Sequence, residues 1–161
     1  AAQKFDRALT SYTDLLFGLT PGSLGETPAL LILVCGAYLA ARRMLDWRIP
    51  LAVLLSAAVI TWVFHAYDPA RYPTPLFMLL SGGLMLGAVF MATDMVGSPV
   101  TPLGVWLYGA LIGTVTILIR LFGALPEGIM YAILLGNATT PLIEAVTQPR
   151  VYGTVRGKTR P

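Results

Sequence analysis

One cysteine and one histidine stand among 161 residues, and charged side chains make up only 12% of the chain. With Cys35 alone, an internal disulfide framework is excluded. With His65 alone, no self-contained set of metal ligands can form. Gly-rich phosphate loops, dinucleotide fingerprints and hydrolytic triads are all absent, so no catalytic residue and no metal ligand is assigned. The net charge of +3 is not spread over a surface of alternating basic and aromatic residues, which excludes a nucleic-acid patch. No basic stretch followed by a short apolar run opens the chain, so nothing reads as a signal peptide. The polar start (Lys4, Asp6, Arg7) instead runs into an apolar stretch interrupted by Asp14, which reads as a cut through a longer protein.

What fills the chain is apolar: 56% of it is hydrophobic, and the charged share is about half that of an ordinary globular domain. Residues 49–66, 74–91, 103–119 and 129–145 form four nearly uncharged stretches of 17 to 18 residues. At ~1.5 Å of rise per residue, each approaches the ~30 Å of a bilayer's hydrocarbon core. A fifth stretch, 28–41, reaches only ~21 Å. It is preceded by a glycine-rich loop, so it reads as a discontinuous helix entered from a re-entrant segment. The expectation is an all-α integral membrane bundle of about five transmembrane helices over residues 1–149, followed by a basic tail over 150–161.

The basic residues sit at segment ends. Arg42, Arg43 and Arg48 form one group and Arg150, Arg156, Lys158 and Arg160 another, seven of the eleven Lys and Arg. Placing both groups inside gives an alternating map with a cytoplasmic tail, in keeping with the positive-inside pattern. Trp47, Trp62, Tyr67, Tyr72 and Tyr131 lie near segment ends, as an aromatic belt does. Ser81, Gly82 and Gly83 mark a possible break within the 74–91 stretch.

Three stretches carry chemical information. In 22–28 (GSLGETP), Gly22 and Gly25 allow close backbone approach, and Thr27 can cap a helix whose first position is Pro28. Exposed amides there, with Ser23, favour an anionic or electron-rich group. The same residues also make an ordinary cap and turn, but Glu26 is a costly carboxylate for a membrane loop. In 91–102, Thr93 and Asp94 suit a ligand or cation contact, or equally a solvated cap. In the third stretch, Arg120 is expected to snorkel to the outer interface. Pro126 and Glu127 suit the first turn of the last helix, and Asn137 calls for a partner on a neighbouring helix. His65 reads as interfacial, and Cys35 as a small buried apolar residue.

Taken together, GSLGETP at 22–28, FMATDMVGSPVTP at 90–102, YGALIG at 108–113 and the 118–153 stretch resemble the D-subunit family of electron-transport complexes. This is the membrane subunit of Rnf-type complexes, with the B subunit of the sodium-pumping NADH:quinone reductase as a relative. The resemblance covers essentially the whole chain and matches the second half of the family's length. Met95 and Gly97 stand where the family usually has proline and threonine, which implies a more flexible loop.

The resemblance implies one half of a two-fold inverted-repeat bundle, similar in fold to urea- and ammonium-channel-type proteins. It implies flavin mononucleotide (FMN) esterified to a threonine that is expected upstream of Ala1 and is not in this chain. Thr27 is not assigned as the attachment point. Gly22, Ser23, Gly25, Glu26 and Thr27 are expected to line that flavin on the outer side. Thr93 and Asp94 are candidates for a second flavin such as riboflavin, or for a cation path. The implied function is a subunit of a redox-driven pump in the bacterial inner membrane, carrying electrons between ferredoxin and NAD and coupling them to Na⁺ or H⁺ movement. Its expected partners are iron–sulfur, flavin and nucleotide-binding subunits and membrane lipid, with no nucleic acid. The rivals are a quinone-reducing relative and a non-redox channel.

Overall fold

The computed structural model describes residues 16–18, 28–69, 72–81, 83–123 and 127–148. All secondary structure among them is helical. Helix α1 (Ala29–Ala41) begins one residue after Pro28 and leads through a tight turn into α2 (Arg48–Tyr67). Next comes α3 (Pro75–Leu80), then a break, then the single turn α4 (Leu84–Leu86), which passes into a π-helical turn over Gly87–Met91. The long helices α5 (Pro102–Phe122) and α6 (Gly128–Thr147) complete the bundle. Among the described residues three helices, α2, α5 and α6, are long and apolar enough to cross a membrane, and α1 is a shorter apolar helix. The 74–91 stretch is not one continuous crossing: it divides at the serine–glycine group, where glycine weakens a helix.

The inside of the bundle is smaller and more polar than its outside. On α2 the exposed row is Leu51, Leu55, Val59 and Trp62, while Ala52, Val53, Ala57 and Thr61 are buried. On α5 the buried row includes Gly109, Ile112, Gly113 and Thr116, against exposed Leu103, Trp106 and Leu118. Small residues at helix contacts and large apolar ones outward are what packing in lipid rewards, because hydrocarbon offers no hydrophobic drive to hide leucine. Thr61 and Thr116 each donate to the carbonyl four residues back, which satisfies their buried hydroxyls.

The α2–α5 contact is backbone to backbone. A Cβ on Gly113 would stand 2.5 Å from the Val53 carbonyl oxygen and would also meet Ser56 Oγ. Ser56 itself donates to the carbonyls of Val53 (3.0 Å) and Gly109 (3.3 Å), tying the two helices. The broken 75–91 stretch lies at the middle of the packing. Ala88 joins the cluster of Ile49, Val53, Tyr108, Ile112 and Ile133. Leu80, Met85 and Val89 pack with Ala29 and Ile32 of α1. Met78 and Leu84 pack with Ala57 and Ile117.

Three expectations need correction. Cys35 is exposed on α1, not buried. Of that helix, Ala29, Ile32 and Gly36 are the buried residues. Glu127 occupies the position before α6, which starts at Gly128, so it lies outside the first turn. Arg120 does not snorkel. It is 8% exposed and its Nη1 donates to the carbonyls of Met78 (2.9 Å) and Ser81 (3.0 Å). The Cα–Cβ bond of a helical residue tilts toward the helix N-terminus, so at the Phe122 end this side chain is directed into the bundle.

Candidate functional site: the loop after the π turn

Gly22, Ser23, Gly25, Glu26 and Thr27 lie outside the described residues, as does Pro126. The site that can be built is the 92–101 loop with the α1–α2 turn facing it.

The π turn sets up the loop. The Ala92 amide donates to the Gly87 carbonyl at 2.7 Å, a bond spanning five residues instead of four. Such turns insert one extra residue into a helix and often accompany functional sites. Gly36 of α1 and Gly87 allow close approach here: a Cβ on Gly36 would come within 2.5 Å of Val89, and one on Gly87 would collide with Ile129 of α6. Thr93 follows at the end of this turn, its hydroxyl donating to Val89 O (2.8 Å) and Phe90 O (3.3 Å).

The loop is docked at several points, against the expectation of looseness. Asn137, Thr140, Glu144 and Thr147 lie at i, i+3, i+7 and i+10 on α6 and form one polar stripe. Thr140 Oγ1 donates to the Gly97 carbonyl at 2.7 Å. Glu144 Oε1 accepts from the Val100 amide at 3.0 Å, and the Thr147 and Thr101 hydroxyls pair at 2.6 Å. Asn137 has the partner expected of it: its Oδ1 accepts from Tyr108 Oη of α5 at 2.6 Å. Gly97 lies flat against the Asn137 amide, so that a Cβ there would meet it at 2.8 Å. The missing Cβ of Gly97 is what permits this seating. Thr101 then caps α5, accepting from the Gly104 amide at 3.1 Å. The sequence reading missed Thr140, Glu144 and Thr147; their helical spacing within an apolar segment was the available signal.

Opposite the loop, α1 ends with the Arg43 amide donating to Ala40 O and the Met44 amide to Leu39 O, both at 3.0 Å. This is the Schellman arrangement, whose left-handed position is normally glycine. Here it is Arg43, at φ 56°. Between turn and loop lies an open cleft of about 310 Å³, lined among others by Arg43, Met44, Trp47, Thr93, Met95 and Ser98. That is the lower end of small-ligand site volumes (~300–1,000 Å³). Thr93 lines the cleft, whereas Asp94 is exposed beside it, its carboxylate 3.4 Å from the Val96 amide. The structure therefore separates the two residues that the sequence reading paired. An indole and two thioethers offer an apolar wall, and the Arg43 guanidinium, the Asp46 carboxyl group and the Thr93 and Ser98 hydroxyls offer a polar edge. A flat heteroaromatic ring with polar substituents fits this set. Among the described residues no group of His, Cys, Asp and Glu is placed to hold a metal ion. His65 serves the opposite end of the bundle, its Nδ1–H donating to the Tyr72 carbonyl at 3.0 Å.

Comparison with known proteins places this geometry in a lineage. The model of the NQR2, RnfD, RnfE family matches residues 1–153. The chain is 41% identical over 145 residues to the D subunit of the proton-translocating ferredoxin:NAD(+) oxidoreductase complex of Clostridium ljungdahlii, covering 90% of this chain and 44% of that one. It is 42% identical over 153 residues to the D subunit of the Na(+)-translocating ferredoxin:NAD(+) oxidoreductase complex of Acetobacterium woodii, with 94% and 46% covered. Against the D subunit of the ion-translocating oxidoreductase complex of Stutzerimonas stutzeri, identity is 44% over 142 residues, with 88% and 40% covered. The chain thus spans less than half the length of these relatives. With a family match over residues 1–153 and an apolar helical bundle beneath it, this all-α membrane chain belongs to the NQR2, RnfD, RnfE family.

Proposed function

We propose that this chain forms part of the membrane flavin subunit of a redox-driven ion pump. That pump carries electrons between ferredoxin and NAD and couples them to Na⁺ or H⁺ transfer. The observation that carries the reading is the family match over residues 1–153, together with 41–42% identity to relatives named as D subunits of ferredoxin:NAD(+) oxidoreductase complexes. One of those names gives the proton and another Na⁺, so the reading keeps both ions. In this reading the protein is a multi-pass subunit of the bacterial inner membrane. Its tail and the 92–101 loop face the cytoplasm, and its partners are the iron–sulfur, flavin and nucleotide-binding subunits.

FMN is held covalently through a threonine outside this chain, with Gly22, Ser23, Gly25, Glu26 and Thr27 along its edge. When bound, the flavin supplies one- and two-electron chemistry that no side chain here has. The chain's own part is to position and insulate it. The cleft at Thr93 suits a second, non-covalent flavin: Trp47, Met44 and Met95 offer the ring apolar contact, Thr93 Oγ1 retains lone pairs to accept a ring N–H, and Arg43 favours electron-rich edges.

The test is a denaturing gel of the full-length subunit viewed under ultraviolet light. A fluorescent band is expected, and it persists in Thr27→Ala because the ester lies elsewhere. A colourless band would favour a non-redox channel. Glu26→Gln is expected to change flavin potential or occupancy, and unchanged spectra and activity would remove the 22–27 loop from the site.

A further inference from the structure

The α3 break presents a helix C-terminus inside the bundle. Such an end has carbonyls without intrahelical partners and carries partial negative charge. In broken transmembrane helices, carbonyls of this kind coordinate alkali cations. Ser81 lies six residues past Pro75, ~9 Å along the helix from its start. Here the carbonyls of Met78 and Ser81 share one donor, the Arg120 guanidinium, at 2.9 and 3.0 Å. Met78 is fully buried and Arg120 nearly so. At the same end of the bundle Phe64 packs its ring against those of Tyr72 (centroids 5.3 Å apart) and Phe122 (5.9 Å). A charge at such a place is costly and is kept where it acts.

We propose that Arg120 is a tethered cation that fills the carbonyl cluster at the α3 break and keeps Na⁺, K⁺ and water from entering there. The guanidinium does what a bound alkali ion would do for the carbonyl dipoles, but being covalently held it cannot be conducted. The proposal goes beyond the redox reading and does not depend on it, because its readout needs no electron donor.

The test uses the whole complex in sealed proteoliposomes, measuring entry of radioactive sodium with no reductant present. Arg120→Ala and Arg120→Gln are expected to raise passive entry by on the order of tenfold or more, since the barrier is lost while the carbonyls remain. Millimolar guanidinium should suppress the leak in Arg120→Ala and leave the parent unaffected. Arg120→Lys keeps a charge at the carbonyls and should stay tight. If the neutral variants fail to assemble, Arg120→Lys decides: sodium entry as slow as the parent's upholds the proposal, and faster entry overturns it. Assembled Arg120→Ala or Arg120→Gln vesicles as tight as the parent would overturn the proposal. So would failure of Arg120→Lys to assemble alongside the neutral variants, since the break would then need the guanidinium's shape and not its charge.

Discussion

Arg43 holds a backbone conformation that costs an L-residue ~1–2 kcal/mol, at a position where glycine is the usual occupant. Arg43→Gly relieves that strain and returns part of the gain as unfolded-state entropy, for a net stabilisation of about 0.5–1 kcal/mol. If its guanidinium serves the cleft, non-covalent flavin released by acid should fall in the same variant while thermal stability holds or rises. Unchanged flavin would remove Arg43 from the site. Single residues were unevenly legible in the sequence. Asn137 announced its need for a partner, since a primary amide in hydrocarbon must be satisfied, and Tyr108 meets it. Cys35 and Arg120 were misread for different reasons. Apolar periodicity marks the buried face of a helix in water, but in a bilayer both faces are apolar, so side-chain chemistry does not say which one meets lipid. Arg120 is buried because a broken helix lies within its reach, and that is a fact of tertiary structure.

At the scale of elements, the boundaries of α2, α5 and α6 followed from length and hydropathy, and α1 was correctly read as short. The π turn was not legible, because its extra residue follows from how Gly36, Val89, Gly87 and Ile129 interlock. The α2–α5 seam yields a prediction. Gly113→Ala gains up to ~1 kcal/mol in helix propensity but drives a methyl group against the Val53 carbonyl and Ser56. Overpacking against backbone costs ~1–3 kcal/mol, so a net loss of about 1–2 kcal/mol is expected. A lowered unfolding midpoint in a detergent titration would record it. The docked loop yields another. Thr140→Val removes the donor to the Gly97 carbonyl, a bond of ~1 kcal/mol at most typical membrane values. Amide hydrogen exchange should accelerate several-fold across 97–100 and stay unchanged in α5, and uniform protection would show the threonine to be dispensable to the loop.

For the whole molecule, the apolar share and the low charge were legible as composition before any helix was placed, whereas the inward placement of small side chains emerged only with the packing. The alternating topology is checked by chemistry on cysteine. Cys35, facing outward within α1, should resist membrane-impermeant maleimide in intact vesicles and react once the protein is unfolded. In a Cys35→Ser background, Asp94→Cys should label from the cytoplasmic side alone; labelling from the opposite face would invert the map. A last consequence concerns biogenesis. The half-helices that touch every packing cluster are the pieces least able to survive alone in lipid, because their broken ends have no internal partners. Residue 120 and the helix carrying it emerge from the ribosome later than the break they complete. The nascent chain must therefore keep its keystone sheltered, in the insertion machinery or at the interface, until the arch around it has been delivered.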